Sequence, residues 1–219
     1  MLFRSDTVNH DLLLQKLSYM GVLDKELAWF KDYLHDRTQV LDFQGVSSDL
    51  GPISIGVPQG SILGPLLFTL HVNDLLNVLN CCSMLMYADD TVLFYPASKV
   101  DALQERLNEE LKAIECWLRQ NSLFLNVYKT EAMVFGASPR LSNINSFTIG
   151  VNGSSIKRVS QFKYLGVVFD ERLSWNDHVK FILAKAGKRV GMLAQIRYCI
   201  TWHRVKIIYT SMIRPIIEY

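Results

Sequence analysis

The residues best suited to chemistry are two adjacent acids, Asp89 and Asp90, which separate two short apolar runs at residues 84–87 and 92–95. Short runs rich in aromatic and large apolar residues predict a two-stranded hairpin, with residues 88–91 as its turn. Adjacent carboxylates repel each other and are costly to desolvate unless a cation or a donor compensates them. Because Mg²⁺ prefers such oxygen ligands, the pair indicates a metal site. Taken alone, however, Asp-Asp is more typical of a solvated turn.

Three further blocks accompany the acid pair. Tyr-Ala-Asp-Asp at residues 87–90 resembles the palm hairpin of reverse transcriptases, and Gly-Val-Pro-Gln-Gly-Ser at 56–61 resembles the block before it in the non-LTR retrotransposon (LINE-like) branch. Residues 125–131 and 162–167 resemble the family's next two blocks. Four blocks in order are far more specific than any one, and the resemblance covers nearly the whole chain. Group II intron maturases and telomerase are related alternatives.

The resemblance implies an α+β fold, in which a polymerase palm is followed by a small hairpin and a helical, thumb-like segment. The palm is an antiparallel sheet backed by helices and would occupy residues 1–140; the connecting hairpin and partial thumb would occupy 141–219. The implied reaction is RNA-directed DNA synthesis from an RNA template, a DNA primer and deoxynucleoside triphosphates. The cofactor would be Mg²⁺, with Mn²⁺ as an alternative. The site residues that the resemblance implies are Asp89 and Asp90 for metal and catalysis, Lys129 for catalysis, Gln59 and Gly60 for the nucleotide, and Tyr164, Leu165 and Gly166 for the primer.

Two of these assignments have simpler alternatives. A lysine such as Lys129 near a departing pyrophosphate can neutralise charge or donate a proton, but it can equally be a surface loop residue. Without the resemblance, the stretch around Gln59 and Gly60 predicts an ordinary turn between a strand and a helix.

One departure from the family pattern concerns a further catalytic aspartate. Family members carry it on an earlier strand, a few residues before an Ala-Phe-Asp-x-Val-x-His block. Here residues 4–10 match that block, so the aspartate would fall at or just before Met1, and Asp6 matches the later, non-catalytic acid. The resemblance therefore implies an N-terminally truncated domain with impaired activity. The alternatives are a non-catalytic nucleic-acid-binding remnant and a relic that folds poorly.

Composition adds few constraints. The 219 residues are 49% hydrophobic with a net charge of +2, which suits one large domain or a domain with an appendage. From His178 onward almost all charged residues are cations, which is typical either of phosphate contacts or of a solvated helix face. The scattered cysteines and histidines predict reduced thiols and no metal cluster, and hence an intracellular protein. We expect no membrane span and a longer parent polyprotein.

Periodicity and turn residues predict the elements. We expect helices at 8–18, 24–34, 61–76, 100–121, 176–198 and 201–213, with caps at Asn9, Ser98 and either Ser174 or Asn176. Strands are expected at 37–43 paired with 53–55, at 124–126 paired with 132–135, and at 162–169. A hairpin should turn at Asn152-Gly153, and a loop should span 136–145.

Overall fold

The computed structural model describes residues 5–137, 144 and 147–219, with only the backbone of residue 5. These form two compact units: Met1–Ala132 with Ser146–Lys157, and Met133–Asn145 with Arg158–Tyr219. Both are mixed, with helices and small two-stranded sheets, so the α+β class is confirmed. The predicted loop at 136–145 lies mostly outside the described residues.

The first unit begins with a short 3₁₀ turn (Ser5–Thr7) and helix α1 (His10–Tyr19). The predicted cap is confirmed, since Asn9 Oδ1 accepts the Leu12 N–H at 3.0 Å. Helix α2 (Asp24–Leu34) also matches its prediction.

Four very short strands follow α2: β1 (Thr38–Gln39), β2 (Asp42–Phe43), β3 (Val46–Ser47) and β4 (Gly51–Pro52). β1 pairs with β4, and β2 pairs with β3. The prediction that residues 53–55 form the partner strand is wrong, since that strand is β4, but the Ile53 N–H does donate to the Arg37 carbonyl at 2.8 Å. Ile55 instead forms an isolated bridge with Asn9, which ties this segment to the start of α1.

Helix α3 (Gly64–Val72) carries Pro65 in its first turn, where the missing N–H costs nothing. A 3₁₀ helix (Asn73–Val78) completes the segment that was predicted as one helix from 61 to 76.

The acid pair lies on the predicted hairpin, formed by β5 (Ser83–Tyr87) and β6 (Asp90–Phe94). The turn, however, is the residue pair Ala88-Asp89, because Tyr87 lies opposite Asp90 in the register. Ala88 has a φ of 52°, which is the sign that two-residue hairpin loops require to match the twist of the strands. The two acids therefore differ in setting: Asp89 is in the turn and Asp90 begins a strand.

Helix α4 (Val100–Gln120) has the predicted length, and Leu111, Ile114 and Leu118 are buried as its period indicates. One detail was wrong: the N-cap is Lys99 rather than Ser98, with no side-chain cap. Glu110, although charged, is only 2% exposed, because its carboxylate binds the backbone of the loop that precedes β5.

The strand pair predicted after α4 is also wrong. Residues Val127–Lys129 form a 3₁₀ turn, and β7 (Glu131–Ala132) is only two residues long. Asn126 explains the difference, because its Oδ1 accepts the Lys129 N–H at 3.2 Å and so favours a turn over an extended strand.

The Asn152-Gly153 hairpin is confirmed, with β8 (Gly150–Val151) paired with β9 (Ser154–Ser155). Both turn residues have positive φ, 52° and 73°, as in a type I′ turn. Strand β10 (Lys157–Arg158) follows.

The core of the first unit lies between α1, α3, α4 and the β8–β9 hairpin. Its fully buried members are Val8, Leu13, Leu17, Leu34, Leu67, Leu75, Ile114 and Leu123, joined by Phe68, Val72, Leu111, Trp117, Leu118, Ile149, Val151 and Ile156.

The second unit contains β11 (Gln161–Tyr164) and β12 (Val167–Asp170), an antiparallel hairpin where one strand was predicted. The chain reverses at Leu165 and Gly166, whose φ values are 45° and 91°. Glycine tolerates this conformation without steric cost, so Gly166 allows the turn within an otherwise strand-like sequence.

Three helices and a π-helical turn end the second unit: α5 (Asn176–Ile196), α6 (Trp202–Ile208), the turn Tyr209–Ile213 and α7 (Arg214–Glu218). Neither predicted cap of α5 forms; the Asp170 carboxylate instead accepts the N–H groups of Ser174 and Trp175, at 2.9 and 3.1 Å. These bonds lower the pKa of Asp170. Among the helices that the structure describes, none is long and apolar enough to cross a membrane.

Candidate active site

A cleft of about 1260 Å³ in the first unit collects side chains from segments far apart in the sequence. Asp89 comes from the β5–β6 turn, Gln59 and Gly60 from the loop before α3, and Lys129 from the 3₁₀ turn after α4. Four of the predicted site residues therefore line one cavity. Asp90 lies next to Asp89 but is not part of the lining. The remaining lining residues are Asp6, Val57, Pro58, Gly64, Pro65, Phe68, Ala88, residues 124–128, Ser154, Ser155 and Lys157.

The loop that carries Gln59 and Gly60 is held by Ser61. Ser61 Oγ donates to the Pro58 carbonyl at 2.7 Å and accepts the Gly64 N–H at 2.9 Å. Gly64 packs against the same carbonyl, since a Cβ there would lie 2.8 Å from the oxygen. Gly60 has a φ of 79° with open space around it. The loop is thus braced at its base while Gly60 leaves its tip open for close approach of a ligand.

Asp6 lies in the same cleft, and its carboxylate accepts a hydrogen bond from Gln59 Nε2. The backbone around it is held firmly: the Gly56 N–H donates to the Val8 carbonyl at 2.7 Å, and His10 Nε2 lies 2.7 Å from the Gly56 carbonyl. The segment that contains Asp6 therefore orients Gln59. The contact joins two sequence blocks 53 residues apart, and neither block alone predicts it.

The carboxylate of Asp89 is exposed, and that of Asp90 is half-buried at the start of β6. Within the described part of the chain, neither carboxylate forms a hydrogen bond or an ion pair. Two adjacent acids with uncommitted oxygen atoms have the donor chemistry that a hard divalent cation requires.

Lys129 is positioned by a compact turn rather than by a strand. Asn126 caps this turn through its side chain, and Thr130 closes it by donating from Oγ1 to the Asn126 carbonyl at 2.8 Å. Thr130 is buried, whereas Lys129 is exposed. The turn therefore fixes the backbone and leaves the ammonium group free to move within reach of the cleft.

Sequence reasoning missed three cleft residues on the strands β9 and β10: Ser154, Ser155 and Lys157. They follow the Asn152-Gly153 turn, and nothing in the local sequence distinguishes them from an exposed hairpin. Only their packing in the first unit places them beside Lys129 in the cleft lining.

The residues predicted to hold the primer, Tyr164, Leu165 and Gly166, belong to the second unit. Leu165 and Gly166 form the β11–β12 turn, and Tyr164 ends β11. Tyr219 supports this turn, since its hydroxyl donates to the Leu165 carbonyl at 2.6 Å and its ring lies against Gly166.

A polar cluster borders the core of the first unit, where His71 is buried and Lys16 and Asp74 are partly buried. Lys16 Nζ donates to the His71 carbonyl and to Asp74, both at 2.6 Å, and lies 4.7 Å from the centre of the Trp117 ring. Burial lowers the pKa of Lys16, although Asp74 opposes the shift. Burial, reinforced by the Lys16 cation, lowers the pKa of His71 to about 4. Neutral His71 therefore stabilises the core, and its protonation opposes folding.

The free thiols of Cys81 and Cys82 lie with Glu110 at the base of β5, with their ligand atoms within 4.8 Å of one another. This grouping was not expected from the scattered cysteines. The Glu110 oxygen atoms accept the Asn80 and Cys81 N–H groups at 3.0 and 2.8 Å, and the Cys81 thiol at 3.2 Å. Burial raises the pKa of Cys82 to about 12. Glu110 and the two cysteines therefore hold the loop before β5 while the thiols are protonated.

Comparison with known proteins bears directly on this cleft. Residues 6–169 match the family model described as reverse transcriptase (RNA-dependent DNA polymerase). The chain is 29% identical to a probable RNA-directed DNA polymerase from transposon BS of Drosophila melanogaster, over 98% of the chain and 24% of that protein. It is 28% identical to the RNA-directed DNA polymerase from mobile element jockey of the same species, over 75% of the chain and 18% of the relative.

A third relative is a retrovirus-related Pol polyprotein from a type-1 retrotransposable element R1 of Nasonia vitripennis, 31% identical over 64% of the chain and 35% of the relative. The chain thus spans about a quarter or less of the length of the first two relatives, and about a third of this one. Since the family match covers most of the chain and includes the loop at Gln59, the acid pair and Lys129, the chain belongs to the reverse transcriptase family, in its non-LTR retrotransposon branch.

Proposed function

We propose that the cleft of the first unit is the nucleotidyl-transfer site of an RNA-directed DNA polymerase, acting on an RNA template, a DNA primer and deoxynucleoside triphosphates. The observation that carries the proposal is the meeting of Asp89, Gln59, Gly60 and Lys129 in one cavity. The partners and the place in a longer polyprotein are inferred from the relatives, which are named as an RNA-directed DNA polymerase and a Pol polyprotein.

The donor set fits a divalent metal, because Asp89 and Asp90 offer adjacent carboxylates with no protein partner in the described residues. These two residues would hold Mg²⁺, or Mn²⁺, which when bound in a two-metal arrangement activates the primer hydroxyl and neutralises triphosphate charge.

The residues of the chain would position the remaining groups. Gln59, oriented by Asp6, and the open backbone at Gly60 would bind the incoming nucleotide. The primer 3′-oxygen forms a bond to the α-phosphorus, the bond from that phosphorus to the bridging oxygen breaks, and pyrophosphate leaves. Lys129 would neutralise the pyrophosphate or donate a proton to it, while the hydroxyl proton passes to solvent.

In this proposal residues 1–140 form a partial palm, and residues 141–219 form a connecting hairpin and a partial thumb. Tyr164, Leu165 and Gly166 would hold the primer end. The support is the turn geometry at Leu165 and Gly166, which Tyr219 stabilises.

We further propose that catalysis by the 219 residues is weak, because the cleft lining of the described residues offers few uncommitted carboxylates. The support is the acid content of the cleft: among described residues its lining contains Asp6 and Asp89, and Asp6 is bound to Gln59. A metal site that lacks one anionic ligand misplaces the reacting hydroxyl, and a small misplacement costs about 100-fold in rate.

Primer extension on an RNA template with Mg²⁺ tests the proposal, with Asp89→Asn and Asp6→Asn beside the parent chain. Asp6→Asn keeps an oxygen that can accept from Gln59 Nε2, so it should spare slow extension, whereas Asp89→Asn should abolish it; this result supports both the site and the weak catalysis. Asp49→Asn, in an exposed loop, controls for lost charge. Equal extension by the parent and Asp89→Asn would refute the metal site. Fast extension that both cleft variants abolish would show that Asp6 completes the site.

A second candidate is a non-catalytic nucleic-acid-binding module. The observation that favours it is the exposed cations on the helices of the second unit, among them Lys185, Lys188, Arg204 and Lys206. This candidate predicts RNA or DNA binding that weakens with salt, is unchanged by Asp89→Asn, and is accompanied by no nucleotide incorporation.

A further inference from the structure

We propose that Ser154, Ser155 and Lys157 form a phosphate-binding wall of the cleft, a role that neither the sequence blocks nor the family match assigns. The inference rests on the proposed function only in that the cleft must take up a phosphate-bearing ligand. That ligand is either the phosphodiester backbone of a nucleic acid or the triphosphate of a nucleotide.

The hairpin that carries this wall is held rigidly against helix α4. Asn108 Oδ1 accepts the Gly150 N–H at 3.0 Å, and Gln104 Oε1 accepts the Thr148 N–H at 2.8 Å. Ile149, Val151 and Ile156 are buried in the core of the same unit. Because core packing and hydrogen bonds fix both strands, the residues after the turn are presented to the cleft at low entropic cost.

The register of the hairpin gives the wall its polar character. Gly150 lies opposite Ser155, and Val151 lies opposite Ser154. Both serines are exposed in the cleft lining. Each hydroxyl can donate one hydrogen bond to a phosphate oxygen, as Ser side chains do in many nucleic-acid contacts.

Lys157 supplies the charge. Its side chain is 77% exposed, and its ammonium group lies 3.8 Å from a Glu131 carboxylate oxygen. An ion pair of this length at an exposed site contributes little free energy. Lys157 can therefore leave Glu131 and bind a phosphate instead.

Lys157 and Lys129 are the two cations in the cleft lining of the described residues, and Asp6 and Asp89 are its two anions. A cavity that contains both positive and negative side chains suits a ligand that carries phosphates at one end and a metal-binding reacting group at the other. Lysine binds phosphate as a compact point charge, which tolerates either source of the phosphate.

Binding of a labelled RNA–DNA primer–template by the 219-residue chain, measured at several NaCl concentrations in EDTA, tests one source. We compare Lys157→Gln and Lys157→Arg with Lys112→Gln, which removes an exposed charge from α4 outside the cleft lining. One lost phosphate contact should reduce the slope of log affinity against log salt by about 0.7–0.9 and weaken binding about fivefold at 0.1 M salt. Lys157→Arg should restore binding.

Calorimetric binding of dTTP with Mg²⁺ tests the other source with the same variants. A Lys157→Gln loss in the nucleic-acid arm alone identifies the phosphodiester, and a loss in the dTTP arm alone identifies the triphosphate; either supports the wall. Unchanged binding in both arms, or an equal loss with Lys112→Gln, overturns it.

The outcomes also separate this inference from the proposed catalysis. If Lys157→Gln weakens binding but the parent chain incorporates no nucleotide, the phosphate-binding wall is supported and the catalytic proposal is refuted. A parent chain that binds neither ligand overturns both. Thermal melting of each variant verifies folding, which an exposed side chain such as Lys157 should not alter.

Discussion

The most specific stability prediction concerns Glu110, because its carboxylate binds the backbone at the base of the hairpin that carries Asp89 and Asp90. It binds the Asn80 N–H through both oxygen atoms, at 3.0 and 3.2 Å, and the Cys81 N–H at 2.8 Å. Burial raises the pKa of Glu110, but the hydrogen bonds from Cys81 and Asn80 outweigh it and leave the pKa below its ordinary value. The folded state therefore prefers the charged carboxylate.

The magnitude follows from the bonds that are lost. Hydrogen bonds to a charged group contribute about 1.5–3 kcal/mol each, so two backbone donors give about 3–6 kcal/mol. Asn80 and Cys81 are exposed, and water will replace part of this. We expect Glu110→Ala to lower the free energy of unfolding by about 3 kcal/mol and Glu110→Gln, which keeps one acceptor, by about half of that. For a chain of this size, the Ala variant should melt about 6–12 °C lower.

Urea unfolding and thermal melting measure these differences, and Glu109→Gln is the matched control. Glu109 is 53% exposed and pairs with Arg106 at 2.9 Å on the surface of the same helix, so its loss should lower the free energy of unfolding by under about 0.5 kcal/mol. Hydrogen exchange should show faster opening of β5 in Glu110→Gln and unchanged exchange in Glu109→Gln.

Acid provides a second check on Glu110. A carboxyl group with a depressed folded pKa contributes its full stability above its unfolded pKa, about 4.3, and loses it as pH falls through the folded value. The gap between the parent and Glu110→Gln should therefore shrink as the solution is acidified below about pH 4.3. Equal stability of the Glu110 and Glu109 variants, or a gap that acid does not change, would refute this account.

Two further predictions concern the core. Gly56→Ala should destabilise the chain by about 1–3 kcal/mol more than the control Gly21→Ala in urea unfolding. Both glycines have positive φ, but a Cβ at Gly56 would lie 2.7 Å from the Asp6 carbonyl and one at Gly21 meets nothing within 4 Å; equal losses would contradict this. His71, with its pKa lowered to about 4, binds fewer protons folded than unfolded, so stability should fall by about 3 kcal/mol from pH ~6.5 to ~4. His71→Leu should flatten that part of the stability–pH profile, and an unchanged profile would exclude His71 as its cause.

Local elements were predictable where one short segment carries the whole signal. Asn9 caps α1, and Asn152-Gly153 turns a hairpin, because each depends on a bond or dihedral angle within a few residues. The predictions failed where a distant or unexpected partner decided the outcome. Asp170 replaced Ser174 and Asn176 at the start of α5, and Gly166 divided one apparent strand into two.

The candidate site also combines features that the sequence predicts with features that depend on distant contacts. The order of the four sequence blocks identifies the family, because recognising these blocks requires no knowledge of tertiary contacts. The grouping of Asp89, Gln59 and Lys129 in one cleft, with Asp6 bound to Gln59, required the packed structure.

By itself, the sequence determined the family, and through that resemblance the α+β class, because four ordered blocks carry the family signal. It also determined the hairpin that carries Asp89 and Asp90, because short apolar runs flank the acid pair. Only the tertiary structure decided that Glu110 is buried and that Lys157 lines the cleft. Both residues look like ordinary surface charges in their own segments. Their environments are set by contacts with residues about 30 positions away in the sequence, such as that between Glu110 and Asn80. The local sequence pattern does not predict such contacts.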